Sequence, residues 1–289
     1  MIHWQAVSFY LLYPIIYLIA SLPFWLLYKV SDFLFVILKL SGYRRQVVIE
    51  NLKCSFPEKT EDEIQSICNA YFRYLCDLTI ETFKTLKMTA QESAEHCVFH
   101  HPEWLKKLRE ESKSIILVMG HYGNWEWAGP SITLETKYQL VVIYRPLSNS
   151  YFEKMMVGMR TRFGTEITPV NQTLRDMVAN RNRVTATAFI ADQYPPAGVK
   201  IWTNFLNQET GFFNGPEKLA AKFDYPVVYI HMNLLQRGMY EVIPELLFQH
   251  PKDTREGEIT EAFSKRLEKD IIDNPVIWLW SHRRWKHKR

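Results

Sequence analysis

The sequence predicts an α/β protein, a mixed and largely parallel sheet covered by helices, with a membrane-associated helix at its N-terminus. Three observations carry this reading. From about residue 114 onward, short apolar runs alternate with longer segments of helical periodicity. The first forty residues have a different composition, with no charged side chain from Trp4 to Tyr28. Between the two parts lies a long amphipathic pattern that opens on a helix-start signal.

The N-terminal run is long enough to cross a bilayer, since about 20 apolar residues suffice. It lacks a basic start and an A-x-A-like site, which disfavours a cleavable signal peptide. Pro14 and Pro23 bend such a helix and leave a re-entrant or interfacial arrangement open. A buried amphipathic hairpin in a soluble protein is the alternative. Lys29, Lys39, Arg44 and Arg45 follow the run. By the positive-inside rule they place the bulk of the protein on the cytoplasmic side. We therefore divide the chain into a transmembrane or membrane-associated helical segment, 1–42, and a catalytic domain, 43–289.

Phe33 to Leu40 reads as a short apolar helix that Gly42 breaks, and Tyr43 to Leu52 as another. Thr60-Glu61-Asp62-Glu63 has the form of a capping box. The helix it opens runs to about Leu86, with Ile64, Ile67, Tyr71, Leu75 and Leu78 on one face. Strand-like runs follow at Ser114–Met119, Gln139–Tyr144, Thr185–Ala191, Val227–Met232 and Tyr240–Ile243. Helical segments fall at Ser150–Phe163, Leu174–Asn180, Pro216–Phe223 and Thr260–Asn274.

Composition narrows the function classes. A net charge of +4 on 289 residues does not point to nucleic acid. Aromatic residues make up 14% of the chain, which suits a protein working at a membrane interface. Cys54, Cys68, Cys76 and Cys97 show no metal-like spacing and read as reduced packing residues. His96 and His100 stand four apart, as helical zinc ligands do, but no third ligand accompanies them. Neither a metal nor a cofactor is expected.

The chemistry centres on His121-Tyr122-Gly123-Asn124-Trp125-Glu126, directly after the first buried-strand pattern. A neutral imidazole with a carboxylate nearby can take a proton from an alcohol or amine. Five positions on a continuous helix turn through about 140°, so His121 and Glu126 would not share a face. They converge only if the chain turns between them, as Gly120 and Gly123 permit, with Asn124 as a helix N-cap. Glu126 would then orient the imidazole. On spacing alone, a strand-end histidine bonded to a backbone carbonyl fits equally well. No nucleophilic Ser or Cys lies in the motif, and the chain has no G-x-S-x-G elbow. Direct attack by a substrate hydroxyl is the simplest mechanism. Backbone N–H groups of the glycine-rich turn are candidate donors to the oxyanion.

His121-x4-Glu126 after an apolar strand resembles the H-x4-D/E motif of the lysophospholipid acyltransferase superfamily. Within it, the chain is similar to the bacterial lipid A biosynthesis acyltransferases, the lauroyl and myristoyl transferase group. Further matches are Asn51-Leu52 with Phe56-Pro57-Glu58, Tyr144-Arg145-Pro146, Ala191-Asp192-Gln193, Gly211 to Pro216, and Trp280 to Lys286. The resemblance implies transfer of a fatty acyl chain from an acyl thioester, on acyl carrier protein, to a hydroxyl of a lipid A precursor in the inner membrane. His121 and Glu126 would be catalytic. Arg145 would touch substrate phosphate, with Arg160 and Arg162 extending an anionic-headgroup site. Asp192 and Gln193 would line the pocket at a strand end. Gly215, in a loop that exposes Phe212 and Phe213, would let the backbone approach the substrate. For each of these a structural role stays open: a surface Arg, a solvated helix charge, an Asp capping the Tyr194-Pro195-Pro196 turn, a helix start at Pro216. The basic end, His282 to Arg289, suits anionic lipid or an acidic carrier protein, and equally a solvated tail. Acylation of a phospholipid or aminolipid, a thioester hydrolase and a non-enzymatic lipid-binding protein are the alternative functions.

Overall fold

A computed structural model describes residues 2–193, 195 and 200–286. Tyr194 and Pro196 of the expected turn, and residues 287–289 of the basic end, lie outside the described residues. In chain order the helices are α1 (Ile2–Ser21), α2 (Phe24–Ser41), α3 (Arg45–Ser55), α4 (Glu61–Lys84), α5 (Ala90–His96), α6 (Pro102–Glu110), α7 (Trp125–Thr136), α8 (Ser150–Thr161), α9 (Thr173–Ala179), α10 (Gly215–Phe223) and α11 (Glu258–Asp273). The strands are β1 (Cys97–Phe99), β2 (Ile115–Met119), β3 (Gln139–Tyr144), β4 (Glu166–Pro169), β5 (Thr185–Ile190), β6 (Lys200–Phe205), β7 (Gln208–Phe213), β8 (Val227–Gln236) and β9 (Met239–Phe248).

Seven strands form one sheet in the order β1-β9-β8-β2-β5-β3-β4. Every neighbouring pair is parallel except β8 with β9. The expected mixed, largely parallel sheet is therefore present. Its central strand, β2, is buried along its whole length, as a strand covered on both faces must be. In the register of β2 with β5, Met119 pairs with Ile190. Both strands end there, so the residues just beyond them, His121 and Asp192, emerge side by side at the carboxyl edge of the sheet. Open α/β sheets build their sites at that edge.

β6 and β7 form a separate antiparallel hairpin. The sequence reading placed Gly211 to Phe213 in an exposed loop. They are strand instead, and Phe212 is fully buried against Phe205 and Phe263. Burying the aromatic rings of a short hairpin outweighs the weak strand preference of its Thr-Gly sequence.

The charge-free N-terminal run is two helices. Pro14 lies inside α1, whereas Pro23 is the N-cap of α2 and marks the break. Gly42, in the left-handed conformation, caps α2 at its other end. Both helices rest on the domain. The Tyr28 hydroxyl donates to Glu81 at 2.8 Å, and Ser31 to Asp77 at 2.5 Å. Asn149 donates to the Gln5 carbonyl, and Phe9 packs against Tyr151 and, edge-on, Phe152 of α8. The remaining face of α1 is apolar and exposed, including Trp4, Tyr10, Leu11, Ile15 and Leu18. Trp4–Ser21 is long and apolar enough to cross a bilayer.

The capping box at Thr60 and Glu63 forms in full, and α4 runs from it for 24 residues. This helix is the spine of the molecule. It touches α1, α2 and α3, and its buried Glu81 reaches the turn that holds His121.

Candidate active site

Gly120 and Gly123 shape the turn after β2. Gly123 has φ +65°, and a Cβ there would stand 2.8 Å from Met232. The Gly123 N–H donates to the Ile277 carbonyl, and the Tyr74 hydroxyl donates to the Gly123 carbonyl at 2.6 Å. Asn124 caps α7 by accepting from the Trp127 N–H, and its amide donates to Glu81.

The carboxylate on the imidazole is that of Asp192. The His121 Nδ1–H donates to Asp192 Oδ1 at 2.6 Å. Asp192 Oδ2 accepts from the His121 backbone N–H at 2.9 Å and from the Trp278 indole N–H at 2.8 Å. Burial works to raise the Asp192 pKa. The His121 ring, the His121 N–H and the Trp278 N–H outweigh it and hold the group at about 2. With Nδ1 fixed as the donor, Nε2 carries the free lone pair. The Gln193 amide nitrogen lies 3.3 Å from it.

Glu126 does not hold the imidazole. Its carboxylate receives both Nε–H and Nη2–H of Arg160, at 2.9 and 2.6 Å. The sequence expectation placed Glu126 on His121 through a turn at Gly120 and Gly123 and by the resemblance of His121-x4-Glu126 to a family motif. The helix that starts at Trp125 carries Glu126 toward α8, where a guanidinium binds it in fork geometry. Asp192 lies 71 residues away in sequence and arrives through strand pairing.

A cavity of about 400 Å³ opens beside His121, a size suited to a small ligand or one chain of a larger one. One wall is the sheet, with Val142, Ile143, Phe189 and Ile190. The other is α7 and α8, with Trp125, Gly129, Pro130 and Met156. Its polar lining groups include His121, Gln193, Glu126, Arg160 and Arg145. Arg145 is exposed there, one residue past β3.

The other expected residues fall outside the cavity lining. Asp192 is buried beneath His121. Arg162 donates to the Thr85 carbonyl and covers the Phe163 ring. Gly215 opens α10, where a Cβ would collide with the Phe213 ring. It is Phe213 that lines the cavity. Two of the expected oxyanion donors are already bonded, the His121 N–H to Asp192 and the Gly123 N–H to Ile277.

Trp278 was missed by the sequence reading, though it lies two residues before a quoted motif. Asn51 explains that motif, because its amide donates to the Trp280 and His282 carbonyls and holds the C-terminal segment in place. Among the described residues no group of His, Cys, Asp and Glu has the arrangement of a metal site. His96 instead bonds the Gly238 carbonyl, and His100 pairs with Glu241.

Over residues 2–287 the chain matches the bacterial lipid A biosynthesis acyltransferases. Two relatives are a lipid A biosynthesis palmitoleoyltransferase of Escherichia coli (strain K12) and a lipid A biosynthesis acyltransferase of Shigella flexneri. Each is 23% identical to this chain over 249 residues, which is 84% of this chain and 79% of the relative. The match takes in the apolar helices as well as the strand ends that carry His121 and Asp192, and the chain belongs to this family as an enzyme of acyl transfer.

Proposed function

We propose that the protein moves a fatty acyl chain from an acyl thioester, with acyl carrier protein as the donor, to a hydroxyl of a lipid A precursor. The work is done at the inner membrane, with the catalytic domain on the cytoplasmic side. One observation carries the mechanism. The Nδ1–H of His121 is held by a buried carboxylate, and no protein hydroxyl or thiol bonds its Nε2 among the described residues. A base without its own nucleophile serves an incoming one.

The acceptor hydroxyl displaces the Gln193 amide from Nε2 and gives its proton to that nitrogen. Its oxygen attacks the thioester carbonyl, the tetrahedral intermediate collapses, and the C–S bond breaks. The imidazolium returns the proton to the departing thiolate. Asp192 stays ionised throughout and stabilises the charged ring. Gln193, freed from Nε2, and the guanidinium groups of Arg145 and Arg160 are the groups able to meet negative charge on the carbonyl oxygen or on acceptor phosphates. The acyl chain occupies the apolar cavity. The family of the chain and its relatives' names support lipid A as the acceptor.

The test uses purified protein with acyl carrier protein and coenzyme A thioesters against lipid A precursors, phospholipids and aminolipids. Acylation of the lipid A precursor from the carrier-protein donor is expected. Acylation of a phospholipid or aminolipid alone contradicts the acceptor. Release of free fatty acid without any acceptor makes the protein a hydrolase.

A further inference from the structure

We propose that Trp278 is a positioning residue for catalysis: its indole N–H holds the Asp192 carboxylate in the orientation that keeps His121 ready as a base. The inference deepens the proposed acyl transfer and rests on the reading that His121 takes the acceptor's proton.

Asp192 is buried and has three donors. Two belong to His121, its Nδ1–H on Oδ1 and its backbone N–H on Oδ2. Two donors from one residue let the carboxylate and the imidazole shift together. The third donor is the Trp278 N–H, which meets Oδ2 at 2.8 Å and comes from 86 residues further along the chain. A carboxylate accepts through lone pairs that lie in its plane. The donor on Oδ2 therefore also fixes where Oδ1 points.

Trp278 is itself fixed relative to His121. The segment that follows α11 forms an antiparallel bridge, Tyr122 with Trp278. The Gly123 N–H donates to the Ile277 carbonyl at 3.0 Å, and the Leu279 N–H donates to the His121 carbonyl at 3.1 Å. Ile277, Trp278 and Leu279 thus hold the turn, the carboxylate and the His121 backbone in one frame. The Trp278 ring, 2% exposed, stands edge-on to Trp280 with centroids 4.6 Å apart. Phe205 and Trp285 close around it, each at 5.9 Å.

Core packing accounts for the ring of Trp278 but not for the partner of its N–H. The neighbouring indoles of Trp280 and Trp285 donate to neutral oxygens, the Pro275 carbonyl and the Thr210 hydroxyl. Trp278 donates to an ion, and the charge of that ion is what stabilises the protonated imidazole. A phenylalanine would fill most of the same space and leave Oδ2 with the His121 N–H as its remaining donor among the described residues.

The test is a double-mutant cycle of Trp278→Phe and Asp192→Asn, assayed in steady state with a carrier-protein thioester and a lipid A precursor. A hydrogen bond to a charged group corresponds to about 10- to 100-fold in rate when it acts on the transition state. Trp278→Phe should lower kcat by about that factor and leave the KM of each substrate within about twofold. In the Asp192→Asn background the same substitution should cost less than about threefold, because the ion it acts on is gone. Trp285→Phe removes an indole N–H from the same aromatic cluster without touching Asp192, and should keep kcat within about twofold of wild type. β-(3-Benzothienyl)alanine at position 278 has the ring shape of tryptophan with sulfur in place of N–H. It should reproduce the loss, and it keeps the test open if Trp278→Phe fails to fold. A folded Trp278 variant with the wild-type kcat, losses that multiply in the double variant, or an equal loss in Trp285→Phe overturns the inference. A wild-type enzyme that transfers no acyl group, or Asp192→Asn at the wild-type rate, overturns the reading beneath it instead.

Discussion

The His121 Nδ1–H donates a hydrogen bond to Asp192, and the Glu126 carboxylate accepts from the guanidinium of Arg160. The His121 motif was legible because it is local: an apolar strand, then Gly-His and a second Gly. Asp192 was legible as a strand-end residue, but its bond to His121 was not, because the register of β2 with β5 makes that contact. The depressed pKa of Asp192 is a statement about stability. Its folded value, about 2, lies below its ordinary 3.8. The group therefore contributes stability above about pH 4, on the order of 2 kcal/mol, and loses it as pH falls toward 2. Acid unfolding of wild type and Asp192→Asn should show this difference, with the variant's stability flatter across that interval. Glu126 is 8% exposed at its side chain and Arg160 28%. Arg160→Ala leaves a buried carboxylate unpaired and should cost about 3 kcal/mol, the lower end for a buried pair because Arg160 is partly exposed. Arg160→Met with Glu126→Gln should recover much of that loss in denaturant unfolding.

Among the elements, several with local signals were read from sequence. The capping box that opens α4 is one, and β3 was placed at its observed ends. α5 and α6 were missed despite the capping box at Thr89 and Glu92 and the proline that opens α6. β1 and β4, three and four residues long, were missed, as was the β6–β7 hairpin. Such short strands owe their pairing to neighbours far along the chain, and the Thr-Gly step in β7 breaks the alternation that marks a strand. α4 carries a less visible device, the buried Glu81. It accepts from Tyr28 on α2, from Asn124 at the head of α7 and from Tyr240 on β9. One carboxylate thus joins the N-terminal helices to the turn that holds His121. Burial pushes its pKa up to about 7, against the hydrogen bonds from Tyr240 and Tyr28. Here the folded state binds the proton more tightly than the unfolded chain does. Stability should therefore fall as pH rises from about 4.5 to about 7, and level off above that. Unfolding midpoints measured across this interval should show the decline in wild type and its absence in Glu81→Gln.

Across the whole molecule, α1 links an exposed apolar face to the helix that walls the cavity. Trp4, Leu11 and Leu18 project away from the domain, while the opposite face of α1 packs on α8, which also walls the cavity. A bilayer is a medium that suits such a face, and the proposed lipid acceptor would lie in it. Replacing Leu11 and Leu18 with Asp should lower partition onto vesicles of anionic phospholipid by about tenfold or more, since each charge replaces an exposed apolar side chain that a bilayer would cover. Soluble turnover on short-chain donors should remain. The central claim is that His121, oriented by Asp192, activates the lipid hydroxyl directly. The most direct test is a rapid-quench single turnover with an acyl carrier protein donor and a lipid A precursor, followed by intact-protein mass spectrometry. Free carrier thiol and acylated lipid should appear together, with no acylated enzyme at any time. Asp192→Asn should slow both by about 10²–10⁴-fold. An acyl-enzyme that forms before the lipid product, or an Asp192→Asn enzyme at the wild-type rate, would contradict the account.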